Sequence, residues 1–247
     1  MTIINEKIYS INFDPKKRNK KSIKFLIIHY TGMKIQKEAI NRLTQIQSQV
    51  STHYFIKNDG KIVLMVPEQF TAWHAGVSKW KNFNLLNKYS IGIEINNPGH
   101  QFGYKNFKKK QLVSIIKLAK YLVKKYNIKP SHILGHSDIA PFRKKDPGEK
   151  FPWKLLAKNK IGLWHNIKAS YLKKNRKIKV NEIEKELFLS NIKKIGYSNK
   201  FNNNQGLKKK NFFVIKAFQR RFRQDLIDGK PDKECYIISK KLVKIWD

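Results

Sequence analysis

The alternation of apolar and polar positions along this 247-residue chain predicts a sheet covered by helices. SIKFLIIHY, ending at Tyr30, is almost wholly apolar, the pattern of a strand buried on both faces in the middle of a sheet. STHYFIKNDGKIVLMV, from Ser51 to Val66, reads as a hairpin that turns at Asn58-Asp59-Gly60. In IGIEIN a period of two sends Ile91, Ile93 and Ile95 to one face and Gly92, Glu94 and Asn96 to the other. Residues 35–48 place Ala39, Leu43 and Ile46 on one helical stripe. From Lys108 to Tyr126, Leu112, Ile115, Ile116, Ala119, Leu122 and Val123 recur at helical spacing with lysines opposite, and Pro130 is expected to close that helix. This order of elements implies an α/β fold, a mixed central β-sheet flanked by helices, over residues 22–167.

The flanks read differently. Residues 1–21, with Pro15 and the run KKRNKK, are expected to form a basic lead-in without regular structure. Residues 168–181 are basic and poorly periodic, as a linker would be. Beyond them, residues 182–247 predict a small three-helix domain: Glu182–Ile195 stopping at Gly196, Asn211–Gln224 with Val214, Ala217, Phe218 and Phe222 on a stripe, and Ser239–Trp246 with Ser239 as N-cap.

Candidate chemistry comes from polar residues where these patterns do not want them. His29 ends the apolar run FLIIHY, and Glu94 interrupts the alternating run IGIEIN. The stretch from Ile133 to Trp153, ILGHSDIAPFRKKDPGEKFPW, crowds His136, Asp138, Arg143, Lys144, Lys145 and Asp146 between an apolar lead-in and helix-breaking prolines, so it reads as a strand end opening into a rigid polar loop. An imidazole and a carboxylate on one loop supply two ligands for a borderline metal such as zinc, with a further His needed from elsewhere. AWHAGVSKW sets His74 among Trp73 and Trp80, a combination suited to a wall against sugar or peptide or to a loop packed down by its indoles. His53, among strand aromatics, is expected to be a packed or hydrogen-bonded residue rather than a ligand.

Five segments in this order, HYT at His29–Thr31, STHYFIKNDG at Ser51–Gly60, AWHAGVSKW at Ala72–Trp80, IGIEINNPG at Ile91–Gly99 and GHSDIAPFRKKDPG at Gly135–Gly148, resemble the zinc-dependent N-acetylmuramoyl-L-alanine amidases of the type 2 family, relatives of the peptidoglycan recognition proteins and phage lysozyme-amidases. The resemblance implies His29, His136 and Asp146 as ligands of Zn2+, Glu94 as general base, and Lys144 as the group that steadies the oxyanion. It also places Trp73, His74 and Asn96 along the substrate cleft, and it implies cleavage of the amide between the lactyl group of N-acetylmuramic acid and L-alanine. FLSNIKKIGY, AFQRRF and the IDGKPD loop are similar to a small peptidoglycan-binding domain. A recognition protein that binds peptidoglycan without cutting it is the alternative from another class.

Charge adds a weaker constraint. The chain carries 53 Lys+Arg against 17 Asp+Glu, a formal net charge of +36, which invites a polyanionic partner such as nucleic acid, acidic glycan or anionic lipid. The excess is spread along the chain, 28 basic against 9 acidic residues before Phe151 and 25 against 8 from there on, so compositional drift accounts for it equally well and nucleic acid is not the expected partner. A single cysteine, Cys235, excludes an intrachain disulfide. The N-terminus shows no apolar signal-peptide core, so the default location is the cytoplasm, with the cell envelope as the alternative. No apolar run approaches the length of a membrane span.

Overall fold

The architecture, a computed structural model describing residues 3–199 and 206–246, is built around one six-stranded sheet. Residues 1, 2, 200–205 and 247, which fall in the predicted lead-in and C-terminal domain, lie outside the described residues. In chain order the elements are β1 (Glu6–Lys7), β2 (Phe13–Asp14), β3 (Phe25–Tyr30), α1 (Gln36–Thr44), β4 (Tyr54–Ile56), β5 (Ile62–Leu64), β6 (Thr71–Ala72), β7 (Lys79–Trp80), β8 (Phe83–Asn84), β9 (Ser90–Ile95), α2 (Lys109–Tyr126), β10 (Ile133–Gly135), α3 (His136–Ile139) and α4 (Trp153–Lys158). They are followed by α5 (Ala169–Asn175), α6 (Glu182–Ile195), α7 (Leu207–Phe222) and α8 (Lys233–Val243).

Strand order in the main sheet is β1-β5-β4-β9-β3-β10. The β4–β5 hairpin is antiparallel, whereas β9, β3 and β10 run parallel. The sheet is therefore mixed, and helices cover it. β3 is buried on both sides, as its unbroken apolar run requires. Phe25 and Ile27 face one core and Leu26 and Ile28 face another. The second core holds Ile91, Ile93 and Ile95 of β9 and the buried stripe of α2, Ile115, Leu118, Ala119 and Leu122. Glu94 and Gly92 consequently lie on the opposite face, as the alternation predicts.

Several local expectations are corrected. The lead-in is not wholly irregular: β1 pairs with β5 and β2 with β6, because the extended chain completes sheet edges that would otherwise leave backbone groups unpaired. Ile46 does not join Ala39 and Leu43 in the core; α1 has already ended at Thr44 and Ile46 is exposed. α2 ends in a left-handed Asn127, three residues before Pro130. Ser239 caps nothing. It lies inside α8, donates to the Tyr236 carbonyl, and leaves capping to Asp232, whose carboxylate accepts from the Cys235 N–H at 2.9 Å.

Residues 168–181, expected as a linker, carry α5, and its Leu172 is buried. A seven-residue helix that buries one side chain shows no period to read. The C-terminal helices continue into the same core as the sheet: Phe188, Phe218 and Ile238 pack in one cluster with Phe25, Ile27, Leu134 and Ile139. Among the described residues no helix is long and apolar enough to cross a membrane.

Candidate active site

Three parallel strands end together, and their registers assemble the site. His29 pairs with Glu94 across β3 and β9, and Gly135 of β10 pairs with Ile28, so His136 follows directly beside His29. Ligand sites in sheets of this kind form beyond the carboxyl ends of such strands. His29 Nδ1 lies 2.9 Å from His136 Nδ1 and 3.0 Å from Asp146 Oδ2, and His136 Nδ1 lies 3.1 Å from the same oxygen. All three residues are buried. They form a group that can hold a metal ion.

The far side of each ring fixes where its lone pair points. His136 Nε2 lies 3.1 Å from the Ala75 carbonyl, which only accepts, so the proton sits on Nε2 and Nδ1 is bare. On the other side, the Ser90 hydroxyl donates to the Leu86 carbonyl at 2.6 Å and therefore accepts from His74 Nε2 at 3.1 Å. His74 Nδ1 must then accept from His29 Nε2, 3.0 Å away, and His29 Nδ1 is bare as well. Two imidazole lone pairs and a carboxylate oxygen thus face one another at about 3 Å with no proton to share, an arrangement that a cation satisfies. Tetrahedral coordination at about 2.0 Å places ligand atoms about 3.3 Å apart, so the donors need to move outward by only a few tenths of an ångström.

The electrostatics agree. Burial and the neighbouring His136 lower the His29 pKa to about 4, keeping the ring neutral. Burial alone would raise Asp146; a proton or positive charge presented by His136 and His29 holds its carboxyl far below the usual range, and with both Nδ1 atoms bare a cation takes over that role and keeps it ionised. Neutral imidazole and ionised carboxylate are the ligating forms. Glu94 behaves in the opposite way: burial first, then the Asp146 charge, pushes it up to about 8, with Lys144 opposing. Its Oε2 is buried without a hydrogen-bond partner, as befits a group whose partner is a reactant.

Glu94, Lys144, Asp146, Trp73, Tyr30 and Thr31 line a cavity of about 600 Å³. The predicted binding residues are sorted by it. Trp73 is on the wall, its indole N–H held by Asp14 at 2.9 Å. His74 reaches the wall but is buried, with both ring nitrogens engaged, so it orients His29 and offers substrate no polar atom. Asn96 does not reach the cavity: it is buried behind Thr31, and its backbone carbonyl accepts from Gln111 at 2.8 Å. Trp80 is fully buried beneath the C-terminal helices, beside Tyr197 and Trp246, and belongs to the packing. His53 is buried and accepts from the Gly92 N–H at 3.0 Å, as a packed histidine should. Asp138, the other carboxylate of the His136 loop, points away from the imidazoles toward Arg221.

One wall went unforeseen. Tyr30 Oη contacts His100 Nδ1 at 2.7 Å, and His100 Nε2 contacts Glu149 at 3.0 Å. NNPGH offered no helix or strand period on which to place His100.

Gly92 makes the His29–His74 contact feasible. A Cβ there would lie 2.4 Å from the His74 ring. Gly92→Ala should therefore displace His74 and weaken metal binding by about tenfold, the usual scale for losing a group that orients a ligand, as read by chelator competition.

Comparison with known proteins bears on the family and the fold. The family profile described as N-acetylmuramoyl-L-alanine amidase matches residues 19–149. N-acetylmuramoyl-L-alanine amidase AmiD of Escherichia coli is 35% identical over 234 residues, covering 90% of this chain and 83% of the relative. The 1,6-anhydro-N-acetylmuramyl-L-alanine amidase AmpD of Haemophilus influenzae is 33% identical over 164 residues, 59% of this chain and 86% of its own. Among solved structures, the E. coli AmiD complex with anhydro-N-acetylmuramic acid-L-Ala-D-gamma-Glu-L-Lys superposes with a TM-score of 0.78 at 33% identity, covering 94% of this chain and 92% of that one. AmpDh3 of Pseudomonas aeruginosa with anhydromuramic pentapeptide gives 0.78 at 29% identity, with 94% of each chain covered. With a family profile matching residues 19–149 and a 35%-identical relative covered over 83% of its length, this chain belongs to the N-acetylmuramoyl-L-alanine amidase family.

Proposed function

We propose that the protein is a zinc hydrolase that cleaves the amide between the lactyl group of N-acetylmuramic acid and L-alanine in peptidoglycan fragments. The observation that carries this reading is the convergence of two bare imidazole nitrogens and one carboxylate beside a half-buried Glu94 whose Oε2 has no hydrogen-bond partner. His29, His136 and Asp146 would hold zinc, a donor set of nitrogen and oxygen that leaves one tetrahedral position for a reactant. When bound, zinc lowers the pKa of water and polarises a carbonyl.

The side chains do the rest. Glu94 removes a proton from the attacking water and delivers it to the leaving amine of L-alanine. Lys144, on the cavity wall, donates to the carbonyl oxygen as negative charge develops there. Trp73 supplies an apolar face against the sugar or lactyl group. The bound muropeptides named for AmiD and AmpDh3 support a substrate of this class, in soluble or polymeric form.

The test is direct. Protein loaded with one equivalent of zinc should release free tripeptide from an anhydromuramyl tripeptide, lose that activity to a chelator and regain it on readdition of zinc. Full activity of metal-stripped protein would defeat the proposal.

A further inference from the structure

The loop bearing two of the three proposed ligands is gripped from behind by the C-terminal helices. Asp138 sits two residues after His136 in the single turn α3, and it is fully enclosed. Its Oδ2 accepts from the Gly135 N–H at 2.8 Å and from Arg221 Nη1 at 2.6 Å; its Oδ1 accepts from the Tyr197 hydroxyl at 2.6 Å. Arg221 belongs to α7, and Tyr197 follows α6. Arg221 also donates through Nη2 to the Ile133 carbonyl at 2.9 Å, at the start of β10, and its guanidinium lies 4.3 Å over the Trp153 ring at the far end of the loop. One side chain from α7 thus touches the strand that leads to His136, the turn that carries it and the segment that closes it. A second bond couples the ligands: the Ser137 N–H donates to the Asp146 carbonyl at 2.8 Å, so the orientation of α3 also sets Asp146.

A buried ion pair adds little net stability, since desolvation of both charges offsets their attraction, but it tolerates little change in geometry. We infer that Arg221 and Tyr197 are positioning residues for the metal site, acting through Asp138. The C-terminal helices are then part of the machinery that holds His136 and Asp146 in bonding geometry, not only a candidate glycan-binding appendage. This rests on the metal reading above.

The experiment uses the full-length chain and reads zinc affinity by chelator competition, without substrate. Tyr197→Phe deletes one hydroxyl and keeps the ring, and it should weaken zinc binding about tenfold, with Arg221→Met weakening it further. Ile238→Val, in α8, which supplies none of Asp138's hydrogen-bond partners, serves as a control that loosens the same core. Its affinity should equal that of the wild type even where its melting temperature falls as far as that of Tyr197→Phe. Wild-type affinity in Tyr197→Phe, or an equal loss in Ile238→Val, overturns the inference. If Arg221→Met fails to fold, Tyr197→Phe against its control still decides. A protein that binds zinc but leaves muropeptides intact would sink the proposed function while leaving this readout usable.

Discussion

His136→Ala is expected to abolish stoichiometric zinc binding and to reduce muropeptide hydrolysis by about 10³–10⁴-fold, the scale of several kcal/mol of lost charge stabilisation. The size of the effect follows from geometry. His136 contributes one of only three converging donors, its Nδ1 lies about as close to His29 as to Asp146, and no other described imidazole points its lone pair into that space. Alanine leaves His29 and Asp146 as a two-donor site, which holds a divalent cation weakly. Asp146→Asn should give a milder form of the same loss: the shape is kept, but a neutral amide oxygen replaces the charge. Metal content measured on purified variants, alongside product release, checks both. Wild-type zinc content in His136→Ala would mean that these residues do not form the metal site.

The second large effect separates chemistry from binding. Glu94→Gln should retain zinc and lower kcat by about 10²–10⁴-fold, because an amide of the same shape cannot take the water proton. It should also change how the metal-free protein responds to pH. Burial raises the folded-state pKa of Glu94 from the ordinary 4.5 to about 8, so the folded state favours the protonated form. The stability this confers is fully present below pH 4.5 and is lost as pH rises through about 8, an effect on the order of 5 kcal/mol. Metal-stripped Glu94→Gln lacks that titration, so denaturant unfolding should find it gaining on the wild type between pH 5 and pH 9. A constant difference between the two proteins over that window would show that Glu94 does not titrate there. A bound cation acts in the opposite direction and favours the ionised carboxylate, so the contrast should shrink in the zinc-loaded protein.

Much of the site was legible because it breaks local rules. A His closing an apolar strand, a Glu inside an isoleucine alternation and a loop crowded with ionisable groups between prolines each stand out against what packing alone would select. The strands and the long helix were legible for the complementary reason: their periods are strong, and the core they build is the one those periods describe.

What escaped was whatever depends on a distant partner. Trp80 and Trp73 share one short segment, yet one is sealed under the C-terminal helices and the other lines the cavity. Asn96 follows the alternation onto the same face as Glu94 but is enclosed behind Thr31. Arg221 lies in AFQRRF, a segment noted only for its similarity to a peptidoglycan-binding domain, and nothing local marks one of its two arginines for burial. The fold instead buries Arg221 against Asp138, 83 residues away in sequence.

Periodicity and the misplaced polar residues were enough to specify the α/β class, the strand that carries His29, the face that carries Glu94, and the loop that supplies the remaining donors. These are properties of short windows of chain, within which a side chain's direction follows from the backbone's own repeat. The resemblance, not the local pattern, singled out Asp146 rather than Asp138, and the assembled molecule brings Asp146 to the imidazoles; only that assembly turned His74 from a cleft residue into the group that orients His29 and joined the C-terminal helices to the sheet through one core. Each of those outcomes is set by the registers of β9, β3 and β10 and by contacts between residues tens to more than a hundred positions apart in the chain. Such contacts are decided by which buried polar groups find partners, and no local pattern encodes that.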